Sequence, residues 1–559
     1  MYTTRTLRER VLPLMFLGMA GPKTRKRAQQ LSIIQAALNE GRFADAWADA
    51  QRLLALRVKD VQLLNLGGIA AYQSGDIQAA IELLLQASTR RPDDPEIAMN
   101  LANVQAGTGD IDAALASYKM AHDANNRFAE PAYNAGIMLN SNGDHIGAAD
   151  WFTHALERNP EHIQAAIGKA DAFKQLGDYD GATATLSVLL GLYPDNAAVH
   201  TNLSAIAMDI GYVAEAYDAA TKAIKCDPGM SAAHYNLGVA TQAKSDHAEA
   251  VEHYRKSLAL DAGNAAAALN QGEAYLALND EAGARSAFQR AIDIDPTFAK
   301  AVINLADLDL ISANPGAALQ KIDAFLDDVP GHPSALAFKA IALRDLGNVE
   351  AACELDDLDR FVMPLTIDAP EGFADICAFN QAMAAHVMSH PTLTSSPTAH
   401  ATRQGFHSGE LLSAPRGPFD PFHQIIIDAF QRYRRQFIGE AANPFLDQCP
   451  ETFEVSVWGV VMNESGHQVP HIHPAAWLSG VYYVEVPSSI NDDAMEHAGW
   501  IEFGRPPDDI HAQHVPVTKL FQPEAGKMLL FPSHFYHRTL PLSGDQRRIS
   551  VAFDIMPTG

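Results

Sequence analysis

Apolar positions in the first two thirds of the chain recur with a helical period, in short blocks separated by turns, and the blocks themselves repeat every 34 residues. Alanine keeps the count. Ala46, Ala80, Ala114, Ala148, Ala182, Ala216, Ala250, Ala284, Ala318 and Ala352 stand 34 apart without an insertion. Five positions before seven of them lies a turn glycine: Gly41, Gly75, Gly109, Gly143, Gly177, Gly211 and Gly347. Twelve positions after six of them a proline (Pro92, Pro160, Pro194, Pro228, Pro296, Pro330) stops the second helix of the unit. The pattern predicts a helix, a turn and a second helix per unit. Small residues let the two helices cross closely, while Tyr118, Phe152, Tyr254 and Phe288 fill the space between neighbouring units.

Period, layout and residue types together resemble the tetratricopeptide repeat, with about ten units over residues 27–357. The resemblance implies an α-solenoid whose first helices line a concave groove. Asn100, Asn134, Asn202, Asn236, Asn270 and Asn304 share one position in the first helix of six units, which faces that groove in the family. A carboxamide offers a donor and an acceptor together, so such a ladder matches the backbone of an extended peptide. The alternative is that these asparagines link adjacent repeats. A peptide or protein is the expected partner.

From Leu358 the 34-residue pattern stops. Phe373–Ser389 and Pro421–Phe437 have the spacing of amphipathic helices, and Pro391–Gly417 has the composition of a loop, with His400, Arg403 and His407 expected as surface or packing residues and the mouth of a pocket as their alternative place. After Glu451 the period changes to two. Short β-branched and aromatic runs at Phe453–Met462, Leu478–Val486, Trp500–Phe503, His514–Phe521, Lys527–Phe531 and Arg548–Ile555 predict antiparallel strands of a sandwich or jelly roll. The expected organisation is an N-terminal tail (1–26), the repeat array (27–357), a helical connector opening the last domain (358–450) and a jelly-roll core (451–559).

Charge and composition narrow the partners. A formal net charge of −26 without a basic stripe argues against nucleic acid, and no apolar run is long enough for a membrane span. Four separated cysteines, Cys226, Cys353, Cys377 and Cys449, make neither a disulfide framework nor a zinc knuckle and fit a cytoplasmic protein. Val11–Ala20, apolar and preceded by Arg5, Arg8 and Arg10, has the outline of a secretion signal, but Pro13 interrupts it.

The candidate chemistry lies near the C-terminus. His471 and His473 are two apart and His537 follows 64 residues after the second, so a jelly roll can bring the three to one face as metal ligands. Arg548 and Ser550, again two apart, suit a carboxylate. The segments GHQVPHIHPAAWLSGVYYVEVP, AGWIEFGRPP, PEAGKMLLFPSHFYHRTLP and RRISVAFDIMP resemble the bacterial and phage family of 2-oxoglutarate and Fe(II)-dependent oxygenases, over roughly residues 370–557. That resemblance implies a double-stranded β-helix with Fe(II) as metal and 2-oxoglutarate as cosubstrate. It matches His471 and His537 to the metal histidines and Arg548 with Ser550 to the Arg-x-Ser pair that grips 2-oxoglutarate. Position 473 departs from the wider superfamily, which has Asp or Glu there; His473 is expected as a third ligand, with a place beside the metal as the alternative. The leading expectation is a hydroxylase acting on a peptide or protein. The alternatives are a cupin-like three-histidine dioxygenase without 2-oxoglutarate, in which Arg548 binds substrate directly, and a non-catalytic repeat scaffold.

Overall fold

In the computed structural model the described residues are 22–56, 60–125, 127–395, 401–413, 415–437, 443–491, 497–542 and 547–558. The expected tail lies outside them as far as residue 21, and so does His400. Between Pro22 and Asp356 they form twenty helices in ten pairs. All ten turns inside the pairs are left-handed at one residue. Glycine supplies that conformation at the seven positions read from sequence, and Ser245, Asn279 and Ala313 adopt it, at φ of 64°, 57° and 54°, in the three units that lack glycine. The next residue caps the second helix: Asp76, Asp110, Asp144, Asp178 and Asp280 each accept from a backbone N–H in the first turn, satisfying a donor that the helix leaves unpaired. Part of the acidic excess is therefore helix caps.

The chain divides into two compact units at Leu260 and Asp261. In the first, up to Leu260, seven helix pairs bury the alanines of the 34-residue count together with Tyr118, Phe152 and Tyr254. Gly136 and Gly238 leave room for the rings of Phe152 and Tyr254, which a Cβ would meet at 2.7 and 2.6 Å. Both units are α-helical solenoid in their repeat parts, packed as tetratricopeptide pairs are.

The second unit holds the last three helix pairs and a ten-stranded antiparallel sheet. Its strands are β1 (Met363–Thr366), β2 (Thr394–Ser395), β3 (Thr402–His407), β4 (Phe453–His471), β5 (Leu478–Glu485), β6 (Ile501–Phe503), β7 (Lys519–Phe521), β8 (Lys527–Pro532), β9 (His537–Thr539) and β10 (Arg548–Pro557). The order β1-β8-β5-β10-β4-β9-β6-β7 carries β3 on β4 and β2 on β3. The sheet curls because β4 is long and irregular. Its first ten residues pair with β10, whereas Gln468 and His471 pair with Thr539 and His537 of β9 with a register shift between them, and Ser465 sits between the two stretches at φ 63°. Helices Ile376–Ser389 and Phe419–Gln436 cover one face, burying Phe379, Met383, Phe422 and Phe430 against Val457, Tyr482 and Phe553.

Three local expectations change. The stretch 391–417 contributes β2 and β3, because β4 extends far enough to offer β3 an edge. Met363–Thr366 adds β1 along β8. The run His514–Phe521 is strand only from Lys519, since its first part leaves the sheet and bonds to Asp345 of the last repeat.

Two outcomes follow for stability. A left-handed non-glycine residue costs about 1–2 kcal/mol, partly offset by the unfolded-state entropy of glycine, so Ala313→Gly should stabilise the protein by about 1 kcal/mol in urea unfolding. His534, buried behind β9, gives its Nε2–H to the Leu355 carbonyl at 2.9 Å, and burial pushes its pKa down to about 4. Below the unfolded value of about 6.5 the unfolded chain binds a proton that the folded chain refuses. Stability should therefore fall as pH drops from about 6.5 to about 4 and this contribution should level off below. Urea unfolding at both ends of that window should show a smaller loss in His534→Gln than in wild type.

Candidate functional site

Strand β10 lies between β4 and β5 and separates two chemistries by alternation. Ile549, Val551, Phe553 and Ile555 enter the hydrophobic core on one side. Arg548, Ser550 and Ala552 face a cavity of about 400 Å³ on the other, joined there by Trp458, His471, His473 and His537.

Each histidine of that group reaches the cavity differently. His471 ends β4 and is paired in register with His537, the first residue of β9. His473 lies beyond the strand, held by its backbone N–H on the Ser533 carbonyl at 3.0 Å. The three can place ligand nitrogens within 4.8 Å of one another. Their Nδ1 atoms are already engaged: His471 with the Val469 carbonyl at 2.8 Å, His537 with the Phe535 carbonyl at 3.0 Å, and His473 with Asp554 Oδ1 at 2.7 Å. An acceptor oxygen fixes the proton on Nδ1, so the Nε2 lone pair of each ring is available, the tautomer that a metal takes. Burial, with the neighbouring imidazoles, pushes His471 down to about 4 and His537 well below its ordinary value. Both are neutral at neutral pH. Asp554 also accepts from Ser479 Oγ at 2.6 Å.

Arg548 is 1% exposed, and burial lowers its pKa. Its Nη1 donates to the Gly499 carbonyl at 2.7 Å and its guanidinium lies 5.1 Å from the Tyr483 ring centre, but Nε has no hydrogen-bond partner among the described residues, nor has Tyr483 Oη. No carboxylate pairs with Arg548 among those residues either. A buried cation left so incompletely satisfied is poised for an anion. His407 lines the same cavity near Glu410 and Ser456, whose Oγ donates to Glu410 at 2.7 Å.

The asparagine ladder is engaged within the repeats. Asn100 and Asn134 donate to Asn65 and Asn103 of the preceding units at 3.0 and 3.2 Å, Asn236 donates to the Thr201 carbonyl at 2.9 Å, and Asn202 donates to the Ala198 carbonyl of its own helix at 2.9 Å. Asn270 and Asn304 lie in the first helices of the eighth and ninth pairs.

Asp554 is the site residue that sequence reasoning passed over. Its signal was the alternation itself: it stands four after Ser550 and six after Arg548, on the same face of β10. The expected cofactor pair, Fe(II) with 2-oxoglutarate, is corrected. Among the described residues the cluster is three histidines and lacks the carboxylate ligand that Fe(II)/2-oxoglutarate coordination expects. The physical reason is that His473 occupies the carboxylate's position, while the nearby Asp554 accepts from that histidine.

Comparison with protein families matches residues 456–554 to the family described as Putative 2OG-Fe(II) oxygenase. Tetratricopeptide repeat families match 139–206 and, in five overlapping segments, 31–163 and 206–297. A comparison with curated proteins finds no match. Similar solved structures include a tetratricopeptide repeat protein from Parabacteroides merdae (18% identity, TM-score 0.37, covering 44% of this chain and 97% of that one). MamA from Desulfovibrio magneticus is 25% identical at a TM-score of 0.27, over 30% of this chain and 96% of its own. The Cut9 assembly with Hcn1 is 16% identical at 0.35, over 53% and 58%. On the family matches, the chain combines an N-terminal tetratricopeptide repeat array with a C-terminal domain of the 2OG-Fe(II) oxygenase family.

Proposed function

We propose that this chain is a metal-dependent oxygenase whose divalent metal is held by His471, His473 and His537, and whose Arg548 binds an anionic group of the substrate directly. The observation that carries the reading is the convergence of three imidazoles, each with Nδ1 on an acceptor oxygen and Nε2 left as the atom for a metal. A redox-active first-row metal would supply the chemistry of dioxygen there. The chain's own residues fix the rest. Asp554 orients His473 and brings negative charge next to a ligand set that is otherwise neutral. Arg548, with Ser550 beside it on β10, orients the substrate, and Trp458 walls the cavity 5.7 Å from the His473 ring. The curled sheet is, in this reading, the frame of a jelly roll over residues 451–559, with 358–450 as its helical lead-in and 27–357 as the recruiting array.

The substrate is a peptide or protein recruited by the repeats. An asparagine that spends one N–H on the neighbouring unit keeps its second N–H and its oxygen, a donor and an acceptor for one peptide group.

Calorimetric titration with Fe(II) or Co(II) under anaerobic conditions should show a single equivalent bound by wild type and none by His537→Ala. With Fe(II) and oxygen, consumption should not depend on added 2-oxoglutarate, and stoichiometric succinate release would overturn the three-histidine reading. Replacing Asp554 by Ala leaves the His473 Nδ1–H without its acceptor and should weaken metal binding about 10–100-fold. Unchanged affinity in that variant would remove Asp554 from the site.

A further inference from the structure

The loop between β6 and β7 runs away from the sheet to the last two repeats, and its contacts are specific. It departs at Gly504, whose φ of 89° and 2.1 Å approach of a would-be Cβ to the Val517 carbonyl exclude a side chain. His511 then gives its backbone N–H to Asp307 Oδ1 at 3.0 Å and its ring Nδ1 to Oδ2 at 2.9 Å. Asp345 accepts from the backbone N–H groups of Gln513 and His514 at 3.0 and 2.9 Å and from His514 Nδ1 at 2.7 Å. Ile510 and Ala512 pack on the core of the ninth and tenth helix pairs.

Asp345 is out of place by the rules of its own helix. It is the last residue of helix Pro333–Asp345, where the macrodipole disfavours an anion, and its side chain is 1% exposed. Its position makes sense only with the loop bound. Asp307 lies three residues after Asn304 in the same helix, so the loop docks within one turn of this unit's ladder position.

The other end of the contact is the segment before the metal-site histidine. Gly504 donates to the Tyr536 carbonyl at 2.8 Å, and Phe503 is paired in register with His537. Tyr536 packs on the same repeat core as Ile510, and His534 is tied to the Leu355 carbonyl of the tenth pair. Residues 534–537 are therefore backed by repeats on one side and open to the histidine cluster at the end.

We infer that the ninth and tenth repeats are a socket for the metal site: Asp307 and Asp345, by gripping residues 511–514, hold His537 in its ligating position. Asp345 is a positioning residue. The inference rests on the three-histidine reading above. In calorimetric titration with Co(II), Asp345→Ala should weaken binding about tenfold, and Asp345→Asn, which keeps one acceptor oxygen, should weaken it less. Amide hydrogen exchange of the metal-free protein should be at least about tenfold faster at 537–539 in Asp345→Ala, with 549–555 unchanged. Asp76→Ala, which removes a helix cap in the first unit, is the control and should lower stability while leaving Co(II) affinity as in wild type. If Asp345→Ala does not fold, Asp307→Ala, whose partner His511 is half exposed, takes its place with a loss of about threefold. Wild-type protein that takes up no Co(II) sinks the histidine reading and the socket with it. Wild-type binding together with undiminished affinity in the folded Asp variants overturns the socket alone.

Discussion

Asp554 accepts at one oxygen from His473 and Ser479, and much of the site's character depends on that carboxylate standing one residue away from the cluster. A carboxylate ligand would lower the charge of a bound divalent metal directly. Here the charge would reach a bound metal through an imidazole, with Asp554 making His473 a stronger donor without taking a coordination position. The same strand places Arg548 six residues away, about 20 Å along an extended chain at 3.3 Å per residue. Arg548 thus lines the cavity at one end of β10, and Asp554 stands behind His473 at the other. Each has its own task, because they are too far apart to neutralise one another.

The repeat array was legible because its determinants are local. A turn glycine, an aspartate cap and a proline stop act within a few residues, and they recur often enough to set the period. Even the exceptions obey it: Ser245, Asn279 and Ala313 take the left-handed turn without glycine, since the helices on both sides demand it. In the C-terminal part, strand alternation placed His471, Arg548 and Ser550 on the cavity, and the cross-strand partner of His471 is His537. Position 473 was visible as a departure from the family, but spacing alone gave the wrong reason for its placement. His473 is beyond the end of β4, and the Ser533 carbonyl and Asp554 hold it.

What sequence did not disclose is long-range. Asp554 acquires its role only when β10 lies between β4 and β5, bringing its carboxylate to a residue 81 positions away. The run His514–Phe521 alternates well enough to suggest a strand throughout, yet its first residues bond to Asp345, 169 positions away. Local propensity cannot weigh that competition, because the aspartate on the other side looks like an ordinary charge at the end of a helix.

These two cases share a cause. Both aspartates are unfavourable where the chain alone would judge them, Asp554 in a largely apolar strand and Asp345 at the negative end of a helix dipole. Both are satisfied by an imidazole Nδ1–H together with another donor, at 2.6–2.9 Å. A carboxylate held against local preference needs its donors in the folded state, since leaving a buried one unpaired costs several kcal/mol. The requirement makes each one specific to a single arrangement of distant elements. Alternation already fixes the register of β10 beside β4, but apolar packing alone would tolerate small shifts of the loop on the last repeats. The hydrogen-bonded carboxylates do not, and the histidines inherit their positions from that intolerance.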